Sequence, residues 1–117
     1  MYSLLLSLFL LLQTPNVEGI WVNIDDATGV AKSEIELYVA QGKLYGRVSK
    51  LLLPEDQGKK CVNCKGSEKD KPIEGLIIVR GLSRDDAAWS DGKIMDPANG
   101  KSYDCTITFE NPNTLNV

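Results

Sequence analysis

Most of this chain alternates apolar with polar residues at a period of two, and that pattern limits it to β-strands. In residues 33–39, the apolar Ile35, Leu37 and Val39 alternate with residues of the opposite face, and the turn sequence Gln41-Gly42 follows. The alternation resumes in residues 44–48, so the two segments are predicted to pair as a hairpin. Residues 102–109 alternate most clearly, and no window of 11 or more residues beyond the N-terminal segment keeps a helical period. The fold is therefore predicted to be all-β.

Turn sequences divide the rest of the chain into short strands. Residues 73–82 hold a nearly continuous apolar run, which is typical of a strand covered on both faces or of a barrel strand. Asp91-Gly92 and residues 96–100 are predicted turns on either side of a short strand at 93–95. Residues 111–113 form another predicted turn, and a further strand begins at 115–117. Together these segments predict about seven strands.

The first 18 residues differ from the rest, because residues 4–12 read LLLSLFLLL. This run suits the hydrophobic region of a signal peptide and is shorter than the ~20 residues of a membrane-spanning helix. We therefore expect a cleavable leader at 1–18, one domain at 19–117, and an exported protein that is periplasmic or secreted. A buried core segment and an uncleaved leader that anchors the protein to a membrane are the alternatives.

Composition excludes several functions. The formal charge is −3 and the sequence pI about 4.9, whereas nucleic-acid binding usually requires a basic face. The chain contains no histidine, the commonest general base and metal ligand. A Ser-His-Asp triad cannot be built, so we predict a non-enzymatic protein without cofactor or metal.

A lysine-rich polar loop is predicted between Pro54 and Pro72, and it contains Cys61 and Cys64. The residues leave three interpretations open: a zinc site completed by carboxylate or water, a thiol redox pair, or a structural disulfide. In an oxidising compartment the disulfide is favoured. Cys105 falls on the apolar face of its strand and is predicted to be a buried thiol, although a bridge from it to a loop cysteine is an alternative.

Several motifs in order resemble the bacterial DUF2147 family of exported proteins. They are Gly19-Ile20-Trp21, Gly42-Lys43-Leu44-Tyr45-Gly46, Cys61-x-x-Cys64, Pro72-Ile73-x-Gly75 and Gly92-Lys93-Ile94-x-Asp96-Pro97-x-Asn99-Gly100-Lys101-x-Tyr103. The resemblance implies a lipocalin-like, antiparallel up-and-down β-barrel in which Trp21 plugs the closed end and a cavity takes a small apolar ligand. Such proteins usually continue for one or two more strands, so we expect a truncated C-terminus and an incomplete barrel with exposed edges.

The resulting hypothesis is an exported protein that binds a small hydrophobic molecule inside a barrel. The predicted ligand-binding residues are Trp21, Leu37, Val48, Ile77, Trp89, Tyr103 and Ile107. One alternative is a cell-envelope interaction module that uses the lysine-rich loop at 55–72 or pairs its free edge strands with a second copy. Another is a thiol redox protein that uses Cys61 and Cys64.

Overall fold

The computed structural model describes residues 16–117, so most of the predicted leader lies outside the described residues. Seven β-strands and two short 3-10 turns make up this part of the chain. The strands are β1 (Gly19–Ile24), β2 (Ala31–Ala40), β3 (Lys43–Leu51), β4 (Ile77–Asp85), β5 (Ala88–Asp96), β6 (Lys101–Asn111) and β7 (Thr114–Asn116).

The strands form one sheet in which each is antiparallel to the next along the chain. β1 and β7 are therefore the outer strands, and within residues 16–117 they do not pair with each other. The sheet curls into a half-barrel with its apolar side chains on the concave face. The predictions of an all-β fold, of about seven strands and of an up-and-down order are confirmed.

The hairpin of β2 and β3 forms as the alternation predicts. Ala40 pairs with Lys43, which leaves a two-residue turn. Gln41 and Gly42 have φ of 52° and 78°, the left-handed values that the favoured two-residue hairpin turns use. Tyr38 and Tyr45 stack across the convex face with their ring centroids 5.9 Å apart.

The apolar run at 73–82 is only partly strand, because β4 begins at Ile77. Residues 73–76 instead make a turn in which the Leu76 amide donates to the Ile73 carbonyl at 3.0 Å. Ile78, near the start of β4, packs against both apolar clusters of the molecule. The run is thus apolar on both faces because the strand begins between two cores.

The prediction of a turn at Asp91-Gly92 is wrong, since β5 runs without interruption from Ala88 to Asp96. The register between β5 and β6 shifts between Trp89 and Gly92, and Asp91 has φ of 63°. A single left-handed residue of this kind makes a β-bulge, which bends the strand and does not end it.

The main core lies on the concave face of the half-barrel. Its buried residues are Val17, Leu37, Leu44, Val79, Leu82, Cys105 and Ile107. Leu44 and Leu82 face each other across β3 and β4, and neither has any exposed surface. Val17 belongs to this core although it precedes β1.

A second, smaller core holds the polar loop between β3 and β4. Cys61 and Cys64 form a disulfide that is buried against Leu76, with Ile73 and Met95 packed around it. The loop contains only the two 3-10 turns, Pro54–Asp56 and Gly66–Glu68, which agrees with the predicted long polar loop.

The outer strand β1 exposes apolar side chains on the convex face. Ile20, Val22 and Ile24 are each more than half exposed, and the strand contains no charged residue. Among residues 16–117, no helix has the length and apolar character needed to span a membrane.

Candidate functional site

A wide concavity opens at the end of the half-barrel where the chain enters β1 and where the β2–β3 and β4–β5 turns lie. Its volume is about 700 Å³. We call it the end concavity. It is lined by the apolar residues Val17, Val39, Ala87, Trp89 and Phe109 and by the polar residues Asn16, Glu18, Arg84 and Asp86.

The sheet register determines which side chains face the end concavity. Arg84 pairs with Trp89 across β4 and β5, and Trp89 pairs with Ile107 across β5 and β6. Directly paired residues of antiparallel strands project from the same face of the sheet. The three side chains therefore form a row on the concave face, from the buried Ile107 outward to the exposed Arg84.

Trp21 supports the base of the end concavity without lining it. Its indole Nε1 donates a hydrogen bond to the Val17 carbonyl at 2.7 Å, and its ring lies 6.1 Å from that of Phe109 at a tilted angle. The indole nitrogen is thus satisfied while the ring fills the core. This bond holds the residues before β1 across the base of the concavity.

Three charged side chains lie at the rim: those of Glu18, Arg84 and Asp86. Glu18 Oε2 accepts a hydrogen bond from the Val39 amide at 3.2 Å, and this contact ties the start of β1 to the end of β2. Arg84 Nε donates to the Asp86 carbonyl at 3.4 Å across the β4–β5 turn. The site therefore has an apolar base and a charged rim, which suits a ligand with an apolar body and a polar head.

The structure places the predicted ligand-binding residues in different surroundings. Trp89 lines the end concavity, whereas Leu37 and Ile107 are buried in the main core beneath it. Val48 is buried outside both apolar clusters. Tyr103 is 47% exposed, and its hydroxyl accepts a hydrogen bond from Asn99 Nδ2 next to the opposite, β5–β6 turn.

Ile77 lines a second concavity of about 340 Å³ beside the polar loop. This one is smaller, and five of its nine lining residues are polar or charged. They include Arg80 and Glu68, whose ion-paired atoms are 2.6 Å apart. Two of its charged groups are thus engaged with each other, and Glu74 Oε2 accepts a hydrogen bond from the Leu51 amide at 2.9 Å. The end concavity is the better candidate for an apolar ligand because its base is aromatic and aliphatic.

The disulfide prediction for Cys61 and Cys64 is confirmed. Cys61 has no exposed surface and Cys64 only 5%, so an external thiolate cannot reach either sulfur while the loop stays folded. Bonded sulfurs also provide no thiolate for zinc. No group of three or more potential metal-ligating side chains occurs within residues 16–117.

Cys105 is a free, buried thiol in the main core, as predicted. Burial raises its pKa above the ordinary value for a thiol, because the charged thiolate would lose hydration. The side chain therefore acts as a small apolar group and is not a nucleophile.

Of the nine described residues that line the end concavity, only Trp89 was predicted from the sequence; the other eight, among them Val17, Val39, Arg84 and Phe109, were missed. Phe109 and Val39 already stood on apolar faces of their strands. Arg84 follows the apolar Leu82 by two positions, so the strand period alone places it on the concave face. Nothing in the sequence indicated that Val17 would line a site, because it lies within the predicted leader.

Seven antiparallel strands in sequence order, curled around an apolar concave face, define a lipocalin-like fold. A solved structure agrees with this class: protein HP1028 from the human pathogen Helicobacter pylori, described as belonging to the lipocalin family. The TM-score is 0.74 at 17% sequence identity, and the match covers 87% of this chain and 70% of the other.

The family follows from a separate comparison. The model of DUF2147, an uncharacterized protein conserved in bacteria, matches residues 19–117, and the chain belongs to this family. The suggested family resemblance is confirmed. No curated protein matches the sequence.

Proposed function

We propose that this protein is an exported, non-enzymatic binding protein that holds a small, largely apolar molecule in the end concavity. The observation that carries the proposal is the aromatic and aliphatic lining of Val17, Val39, Trp89 and Phe109 at one end of a lipocalin-like half-barrel. Pockets for small ligands are usually concave and mostly apolar with a few polar groups.

Packing of the half-barrel limits where a ligand can lie. Leu44 and Leu82 are fully buried and Ile107 is 2% exposed. Their own contacts fill the middle of the concave face, so little space remains there. This supports a ligand that lies over Trp89 and Phe109 and does not enter a deep channel.

Export is the second part of the proposal. It rests on the apolar run at residues 4–12 and on the Cys61–Cys64 disulfide, since disulfides persist mainly in oxidising compartments. A binding role is favoured over catalysis by the lipocalin-like fold, by the lack of histidine in the chain and by the inaccessible disulfide.

Titration with 1-dodecanol, followed by tryptophan fluorescence, tests the binding proposal. We expect saturable binding that changes the emission of Trp89, because this indole lines the end concavity. Val39→Gln adds a bulky polar group to the same lining and should weaken binding about fivefold, the order of one lost apolar contact.

Val22→Gln is the matched control, because Val22 is exposed on the convex face, away from the concavity. It should bind dodecanol like the unmodified protein. The proposal is wrong if dodecanol does not saturate, or if the two valine variants weaken binding equally.

A further inference from the structure

Arg84 is a charged side chain on the concave, apolar face of the sheet. It follows the fully buried Leu82 by two positions on β4 and pairs directly with Trp89 on β5. Both relations place its side chain on the same face as the aromatic lining. Among the described residues that line the end concavity, it is the only lysine or arginine.

The guanidinium group of Arg84 has no carboxylate partner among residues 16–117. The chain has two other arginines, and each is neutralised: Arg47 by Glu36 and Arg80 by Glu68, both at 2.6 Å. Arg84 makes a single hydrogen bond, from Nε to the Asp86 carbonyl at 3.4 Å. The two terminal nitrogens are thus left to face the concavity with their donors unused.

Two carboxylates at the rim limit the negative charge that a ligand bound at Arg84 can carry. Glu18 is held by its hydrogen bond with the Val39 amide. Asp86 lies in the β4–β5 turn, and among residues 16–117 its carboxylate forms no ion pair with Arg84. A ligand with one negative charge balances the single guanidinium. A dianion such as a phosphate monoester would add repulsion from Glu18 and Asp86.

We infer that the ligand is an amphipathic monocarboxylate, with its carboxylate on Arg84 and its apolar chain over Trp89 and Phe109. The planar guanidinium can donate two parallel hydrogen bonds to a carboxylate, which fixes the orientation of the head. The inference rests on the proposed binding function and specifies its ligand class.

Four probes with the same twelve-carbon chain test this inference: dodecanoate, 1-dodecanol, dodecylamine and dodecyl phosphate. All are titrated at neutral pH below their micelle concentrations. We expect dodecanoate to bind about tenfold more tightly than dodecanol, as a charge-assisted hydrogen bond suggests. The phosphate and the amine should bind more weakly than dodecanoate, and added salt should reduce the advantage of dodecanoate because the site is open to solvent.

Arg84→Gln should remove the advantage of dodecanoate, so that the ratio of the dodecanoate affinity to the dodecanol affinity falls to about one. Arg84→Lys keeps the positive charge but lacks the planar guanidinium group. It should therefore retain part of the affinity advantage of dodecanoate over dodecanol. Arg47→Gln is the matched control, since Arg47 lies on the convex face beside Tyr38, and it should change neither affinity.

The outcomes separate this inference from the proposed function. If dodecanol binds but dodecanoate binds no more tightly, or if the amine or the phosphate binds best, the monocarboxylate assignment is wrong and the binding proposal stands. The same conclusion follows if Arg84→Gln weakens dodecanol and dodecanoate equally. If none of the four probes binds, both proposals fail.

Discussion

At the scale of single residues, the bulge in β5 brings two strands unusually close together. Gly92 lies against β4, and a Cβ atom built on it would overlap the Arg80 carbonyl oxygen and the Leu82 side chain. Its φ is not left-handed, so a larger residue is excluded by space and not by backbone conformation. Only glycine allows Leu82 to pack fully at this point.

Gly92→Ala is therefore expected to lower the free energy of unfolding by about 3 kcal/mol, the upper range for overpacking a core. Gly29→Ala is the comparison, because Gly29 has φ of 73° but nothing within 4 Å of the added methyl group. It should lose only about 1 kcal/mol through the left-handed backbone. Denaturant unfolding of both variants measures the difference, and equal losses would contradict the steric explanation.

The same glycine explains one error of the sequence analysis. Asp-Gly is typical of tight turns because both residues tolerate left-handed backbone, and a bulge needs the same property at Asp91. Local sequence cannot distinguish the two, since the choice depends on whether neighbouring strands continue the pairing. The hydrogen bond between Trp21 and the Val17 carbonyl was equally hidden, because it depends on the path of the chain before β1.

At the scale of elements, the disulfide loop is attached to the β5–β6 turn by specific contacts. Asn63 Nδ2 donates to the Ala98 carbonyl at 2.9 Å, and Cys61 Sγ lies 3.8 Å from the Pro97 carbonyl oxygen. The Asn63 carbonyl occupies the space that a side chain on Gly100 would need. The short disulfide ring thus presents Asn63 to the turn.

Replacing both loop cysteines, Cys61→Ser with Cys64→Ser, should loosen this attachment and lower the free energy of unfolding by about 2 kcal/mol. Amide hydrogen exchange should accelerate in residues 59–76 and in the β5–β6 turn, while the main core stays protected. Cys105→Ala is the control, because it changes the main core and leaves the loop contacts in place. Equal acceleration across the whole sheet would contradict an independent second core.

Most elements could be predicted from the period of two, because strands of a half-barrel are buried on one face. β4 was the exception. Its run of apolar residues continues through Ile73 and Leu76, which pack on the disulfide and not in the sheet. The apolar character of these residues predicts that they are buried, but it does not predict which of the two cores they join. The end concavity was missed for a related reason, since it is formed by the ends of β2, β4, β5 and β6 together.

At the scale of the whole molecule, the folded domain begins before the predicted leader boundary. Val17 is 4% exposed and belongs to the main core, and its carbonyl accepts the hydrogen bond from Trp21. Removing residues 1–18 would delete this contact and leave the Trp21 indole nitrogen without that partner. An unpaired buried donor is destabilising by about 1–3 kcal/mol.

We therefore expect export to remove the leader at a position before Val17, so that the mature chain keeps this residue. The measurement is the intact mass of the protein recovered from the periplasm or medium of a bacterial host. A mature chain that begins at Gly19 would contradict the expectation. Comparing purified chains that start at residue 16 and at residue 19 provides the control, since the longer one should have the higher melting temperature.

The uncharged outer strand β1 also has a consequence for how the protein behaves in solution. Natural sheets usually protect an outer strand with lysine, proline or a covering segment. The six residues of β1 contain neither lysine nor proline, and no described strand pairs with its outer edge. Ile20, Val22 and Ile24 lie along this unguarded strand, so two copies could align their edges without bringing like charges together. The protein is thus expected to self-associate as its concentration rises. Val22→Lys should raise the concentration up to which it stays monomeric.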